Sequence, residues 1–197
     1  MRVKTKLRGP QDELAIRGYT CPVQLEERDP LGWVMKALRE AGNSVANELS
    51  GIDETALTRR PADDELCLKE IAAHLRDTEE LAVLQITSLM ESPGAPVPVW
   101  DVDALPLERD YSSGSMDRFL NEFRGLRRET TNLLWGIREY EWRRPGKHPY
   151  KGSITLEEIA RTLAQHDLEH LWQVRRIKFE FDVTSRRRPR RGDDWLG

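Results

Sequence analysis

Apolar residues recur at three- and four-residue intervals in four long stretches of the chain, which is the pattern of amphipathic α-helices. The predicted helices span about 30–51, 66–90, 115–140 and 156–181. Their starts carry helix signals, because Asp29 and Pro30 suit the beginning of the first helix and Thr155 with Glu158 forms a capping box before the fourth. No segment alternates convincingly between apolar and polar residues as a strand would. The chain is therefore predicted to be all-α.

The connection between the second and third predicted helices is unusually long. It runs from Ser92 to Gly114, is rich in proline and has little helical periodicity. A connection of this length in a compact domain is usually functional or a crossover. It is long enough to return along a bundle, which would let the second and third helices run parallel. The pattern predicts a four-helix bundle with one long crossover.

The chain has 197 residues, of which 38% are hydrophobic and 33% charged. This length suits one compact domain with tails, and we expect an N-terminal extension at 1–29, the bundle at 30–183 and a C-terminal tail at 184–197. The apolar runs are too short to span a membrane, and the N-terminus lacks the apolar core of a signal peptide. With Cys21 and Cys67 as its two cysteines, the chain has no disulfide scaffold, and a cytoplasmic location is expected.

The formal net charge of −3 is unevenly distributed. Five arginines crowd the C-terminal tail, so the rest of the chain is more acidic than the whole: Arg186, Arg187, Arg188, Arg190 and Arg191. An acidic body argues against a general nucleic-acid-binding protein. The tail could still contact nucleic acid or acidic lipid. No aromatic residue is interleaved with its arginines, which favours a solvated tail without such a partner.

The strongest chemical signal is the placement of histidine. His166 and His170 lie within about 60° of Leu163 around the fourth predicted helix, so they interrupt its apolar face from within. They are one turn apart, the spacing at which two imidazoles reach one metal ion. His74 lies near the buried face of the second predicted helix. Three imidazoles near the predicted core need hydrogen-bond or metal partners, because burying a polar group without one costs on the order of a few kcal/mol.

One divalent metal ion would satisfy all three histidines and leave coordination positions open, as in catalytic sites. Zn²⁺, Ni²⁺ and Fe²⁺ all suit imidazole ligands. Asp167 and Gln173 are candidates for holding an imidazole tautomer or a bound water. Simpler explanations exist, since a core histidine often bonds a carbonyl and paired histidines also occur on solvated faces. The pattern is not that of a zincin, because Asp167 stands where the HExxH motif has glutamate.

Other residues carry weaker signals. Cys67 begins the second predicted helix, where the helix dipole could activate its thiol, but its leucine neighbours favour a buried apolar role. His148 lies in a Pro-flanked loop and is expected at the surface, or less simply over the mouth of the site. Trp172 points away from the predicted core, which is consistent either with a partner surface such as a homodimer interface or with packing under the N-terminal segment.

Two motifs together resemble the DinB/YfiT-like superfamily, which includes bacillithiol- and mycothiol-dependent transferases. They are HLRD at 74–77 and HDLEHLWQ at 166–173, and the resemblance covers about 31–181. It implies a four-helix bundle in down-up-up-down order, often dimeric, in which three histidines hold a divalent metal. Position by position, His74, His166 and His170 match that triad. Many members have no assigned substrate, so the resemblance implies a metal pocket more strongly than a reaction.

Two functions follow as hypotheses. The first is a metal-dependent transferase or hydrolase acting on a small-molecule substrate, with a low-molecular-weight thiol as a candidate second cofactor. The second is a non-catalytic, stress-related dimer whose metal only stabilises the core. The catalytic residues of the first function are not legible in the sequence.

Overall fold

The computed structural model describes residues 30–102, 104–111 and 113–183. Four long helices carry the fold, joined by short helices and one hairpin. The elements are α1 (Pro30–Leu49), α2 (Glu54–Thr58), α3 (Leu68–Glu91), α4 (Leu105–Glu108), α5 (Met116–Trp135), a 3₁₀ helix (Glu139–Arg143), β1 (Pro145–His148), β2 (Gly152–Thr155) and α6 (Leu156–Glu180). Among these described elements, no helix combines the length and apolarity needed to cross a membrane. The predicted extension at 1–29 and the arginine-rich tail at 184–197 lie outside the described residues.

Two apolar clusters show the direction of each helix. One joins the end of α1 and the start of α3 to the start of α5 and the end of α6, with Leu49, Leu68, Phe119 and Ile177 among its members. The other joins the start of α1 and the end of α3 to the end of α5 and the start of α6, with Leu38, Leu89, Leu134 and Leu163 among its members. Helices α1 and α6 therefore run in one direction, and α3 and α5 run in the other. The predicted down-up-up-down bundle is confirmed.

The crossover, residues 92–115, makes this order possible. It begins beside β1, where Val97 N donates to the Lys147 carbonyl at 3.0 Å. It then returns along α3, where Gln85 Nε2 donates to the Pro98 carbonyl at 2.9 Å. Because the connection travels back along α3 before α5 begins, α5 can run parallel to α3, as predicted.

The capping box before the fourth helix is confirmed. Thr155 Oγ1 accepts from Glu158 N at 3.2 Å, and Thr155 N donates to Glu158 Oε2 at 2.8 Å. Both bonds satisfy backbone N–H groups that have no partner within the helix. This fixed start sets the register of α6, the helix that carries two of the histidines.

The segment after α5 differs from the prediction. Helix α5 ends at Trp135 rather than near Tyr140, and a 3₁₀ helix follows it. The expectation of no strand is also wrong here, because β1 and β2 form an antiparallel hairpin in which His148 faces Gly152. Strands of four residues are too short to show alternation in the sequence. Gly152 has a φ of 76°, a conformation that favours glycine.

A buried ion cluster lies at the centre of the bundle. Arg127 of α5 donates to Glu79 Oε2 of α3 at 2.9 Å and to Asp167 Oδ1 of α6 at 3.1 Å. It also donates to the Leu38 carbonyl of α1 at 2.6 Å, while Thr130 Oγ1 donates to Glu79 at 2.5 Å. The two carboxylates raise the pKa of Arg127 above its ordinary value, although burial alone would lower it. One guanidinium therefore joins all four long helices.

We expect Arg127→Met to destabilise the fold strongly. The variant keeps most of the side-chain volume but leaves the carboxylates of Glu79 and Asp167 buried without their cation, which typically costs about 3–5 kcal/mol. Denaturant unfolding measures the free energy. The matched control is Arg128→Met, because Arg128 is the exposed neighbour on the same helix. Equal losses in the two variants would contradict a central role for this cluster.

Candidate metal centre

The structure brings the three predicted histidines together. His74 lies on α3, and His166 and His170 lie one turn apart on the antiparallel helix α6. The Nε2 atom of His166 is 2.9 Å from that of His74 and 3.0 Å from that of His170. Their ligand atoms lie close enough together to hold one metal ion. Within the part of the chain that the structure describes, no other group of three or more His, Cys, Asp or Glu residues brings its ligand atoms close enough together to hold a metal ion.

The outer nitrogens of two of these rings have oxygen partners. His74 Nδ1 lies 3.2 Å from the carbonyl oxygen of Val102 in the crossover. His170 Nδ1 lies 2.8 Å from Gln173 Oε1, one turn further along α6. A carbonyl oxygen can only accept, so Nδ1 carries a proton in both rings, and in the neutral form of each ring Nε2 then has the lone pair. Gln173 therefore lies within hydrogen-bond distance of His170, and its role in holding an imidazole tautomer stays a prediction.

The third ring of the centre, His166, is neutral. Burial, followed by the nearby His170, His74 and Arg127, lowers the pKa of His166 to about 3. Its Nδ1 is buried and has no hydrogen-bond partner among the described residues. A neutral imidazole has one N–H, so His166 Nε2 can donate to only one of the two lone pairs that face it. A cation bound by all three Nε2 atoms would satisfy every lone pair, so the donor set fits a divalent metal.

Asp167 lies between the two α6 histidines in sequence but faces the ion cluster. Both of its carboxylate oxygens accept from Arg127. Burial raises the pKa of Asp167 to about 6, while the charge of Arg127 opposes that shift. The contact with Arg127 anchors the turn of α6 that carries His166 and His170. A direct action of Asp167 on an imidazole or a bound water stays a prediction.

The remaining candidates lie away from the three rings or are buried. His148 ends β1, and its Nδ1 accepts from the backbone N–H groups of Tyr150 and Lys151 at 3.2 Å, so it closes the hairpin turn. Cys67 is buried at the start of α3, and burial raises the pKa of its thiol, which argues against a reactive thiolate. Trp172 is 41% exposed, as its position on α6 predicts.

Sequence reasoning missed two kinds of contact at this centre. The Val102 carbonyl is a backbone group, and no side-chain pattern identifies it. Arg127 had a readable signal, because it lies one turn after Phe123 and three residues before Thr130 on the buried face of α5. A cation on an apolar helix face indicates a buried acidic partner elsewhere in the chain.

The comparisons with known proteins agree with this architecture. The family model of the DinB superfamily matches residues 37–174, so the chain belongs to that superfamily. The uncharacterized protein YuaE of Bacillus subtilis is 22% identical over 162 residues, which cover 73% of this chain and 96% of YuaE. The resemblance found in the histidine motifs is therefore confirmed.

Two solved structures share the fold. YfiT from Bacillus subtilis, described as a probable metal-dependent hydrolase with an unusual four-helix bundle topology, has a TM-score of 0.74 and 16% identity over 84% of this chain and 95% of YfiT. A mycothiol-dependent maleylpyruvate isomerase has a TM-score of 0.60 and 10% identity, covering 73% of this chain and 60% of the isomerase. At these identities the likeness shows the fold.

We expect the full chain, loaded with Zn²⁺ or Ni²⁺ and then desalted, to retain about one ion per chain, as three converging imidazoles would bind it. Elemental analysis measures the stoichiometry. The His166→Ala/His170→Ala variant should retain almost none, because it removes two of the three ligands. His148→Ala serves as the control and should match the parent, since His148 closes the hairpin turn. Retention of a full equivalent by the double variant would contradict this assignment.

Proposed function

We propose that this chain is a metal-dependent hydrolase or transferase whose single divalent ion is held by His74, His166 and His170. The observation that carries the proposal is the convergence of three Nε2 atoms, two of them from rings whose Nδ1 atoms are held by oxygen partners. Zn²⁺, Ni²⁺ and Fe²⁺ remain the candidates, because all three accept imidazole nitrogen.

The donor set favours a catalytic role over a purely structural one. Structural zinc sites are closed by four protein ligands, whereas three protein ligands leave room for water or substrate. When bound, the ion would lower the pKa of a coordinated water or thiol, which supplies a nucleophile near neutral pH. The chain contributes the orientation of the rings. Val102 holds His74, and Gln173 holds His170.

A further polar group lies beside the centre. Thr78 is one helical turn after His74 on α3, and its Oγ1 is buried without a hydrogen-bond partner among the described residues. Residues at i and i+4 lie on the same face of a helix, and side chains lean toward the helix N-terminus. We therefore propose that, in the proposed site, the Thr78 hydroxyl orients the substrate next to His74.

The descriptions of two similar structures support hydrolysis and the use of a thiol. YfiT is described as a probable metal-dependent hydrolase, and the isomerase as mycothiol-dependent. These descriptions motivate hydrolysis of a small molecule, or transfer that uses a low-molecular-weight thiol. The predicted homodimer and cytoplasmic location stay predictions.

We expect metal-loaded protein to turn over a substrate in one of two panels, because the open coordination positions can activate water or a thiol. One panel contains chromogenic esters and amides, and the other offers electrophiles together with bacillithiol or mycothiol. Activity should disappear in His166→Ala, persist in His148→Ala and return when chelated parent is reloaded with metal. Turnover that survives His166→Ala would reject the site. A parent whose melting temperature falls on chelation but which turns over neither panel would favour the structural alternative.

A further inference from the structure

The residue three positions after His74 on α3 anchors the crossover. Asp77 is fully buried, and Tyr111 of the crossover donates its hydroxyl to Asp77 Oδ2. Arg109, also in the crossover, donates to the same oxygen at 3.1 Å. Arg76 Nε lies 2.6 Å from Asp77 Oδ1, and its guanidinium also pairs with Glu122 of α5 at 3.0 Å. The buried carboxylate is thus contacted both by Arg76 of its own helix and by two groups of the crossover, Arg109 and Tyr111.

The same segment of chain also reaches His74. Val102, which accepts from His74 Nδ1, precedes Tyr111 in the crossover, and α4 lies between them. Leu105 and Tyr111 are both buried in the apolar cluster that contains the start of α3. Besides the Gln85 bond to the Pro98 carbonyl, the crossover is therefore held against α3 at a candidate metal ligand, His74, and at Asp77.

We propose that Asp77 and Tyr111 are positioning residues, which hold the crossover so that the Val102 carbonyl orients His74 for metal binding. The inference rests on the proposed function, because it assumes that His74 is a ligand. The docking of the crossover on α3 is thereby coupled to the affinity of the histidines for the metal. Neither Asp77 nor Tyr111 is itself among the grouped ligand atoms.

The coupling has a direct physical cause. The Val102 bond keeps a proton on His74 Nδ1, so that in the neutral ring the lone pair that coordinates a metal lies on Nε2. When the crossover undocks, this constraint is lost and a smaller fraction of molecules has His74 in the binding geometry. The apparent dissociation constant rises as that fraction falls. By linkage, bound metal must stabilise the docked crossover to the same extent.

Tyr111→Phe tests the coupling with little disturbance of the core. The variant keeps the ring, which packs edge-to-face on Phe119 at a centroid distance of 6.1 Å, and removes only the hydroxyl. Arg109 and Arg76 remain to neutralise Asp77. Tyr140→Phe is the matched control, because that tyrosine is 65% exposed on the 3₁₀ helix.

The measurement is the Zn²⁺ dissociation constant of the full chain, obtained by competition with a chromogenic chelator. We expect Tyr111→Phe to raise it by roughly fivefold or more, the lower end of typical coupling between sites. Tyr140→Phe should leave it unchanged. Hydrogen–deuterium exchange of peptides from the crossover should slow when Zn²⁺ is added to the parent, and should slow less in Tyr111→Phe.

The outcomes separate this inference from the proposed function. An unchanged Zn²⁺ dissociation constant in Tyr111→Phe, even with a lower melting temperature, would overturn the coupling and leave a purely structural contact. A parent that binds neither Zn²⁺ nor, in the same assay, Ni²⁺ or Fe²⁺ would reject the proposed function itself, and the inference with it. Should Tyr111→Phe not fold, Arg109→Gln takes its place, since Arg109 is half-exposed and contacts the same oxygen. The same rise in the constant is expected from that variant.

Discussion

The pairing of Arg127 with Glu79 and Asp167 is the constraint on which the rest of the structure depends. A buried charge is tolerated only with its partners in place, so each helix that contributes to the cluster must present one particular face to it. For α6 that face contains Asp167. The adjacent His166 and His170 are then turned toward α3, where His74 meets them. The ion cluster therefore sets the rotation of the helix that carries two of the three imidazoles.

Direct and indirect contacts hold the histidine rings of the centre in position. Val102 and Gln173 hold the outer nitrogens of His74 and His170, and the crossover that contains Val102 is itself held by Asp77. Chemistry at this centre would depend on residues far from the ligands in sequence. Membership of the DinB superfamily leaves the substrate open, because one fold can carry many functions.

Particular elements show where reasoning from sequence succeeds. The capping box of Thr155 and Glu158 is local and strong, and the structure contains it. The hairpin at 145–155 is the opposite case, because its strands have four residues each and its first strand bonds to the crossover, where Val97 N donates to the Lys147 carbonyl. A Cβ added to Gly146 would lie 2.6 Å from Leu89 Cδ1 and 2.7 Å from Val97 Cγ1. This close approach requires glycine at position 146. It cannot be recognised from the sequence, because the contacting residues lie far from Gly146 in the chain.

The sequence by itself determined the four amphipathic helices and the long crossover. It also determined the presence of His74, His166 and His170 on or near buried faces, because helical periodicity is a local property of the chain. Only the tertiary structure decided which groups neutralise Arg127, which carbonyl holds His74 and which residues anchor the crossover. Those contacts join residues far apart in the chain, and one of them uses a backbone oxygen that every residue possesses. Their selection depends on how the helices pack together, which no local pattern specifies.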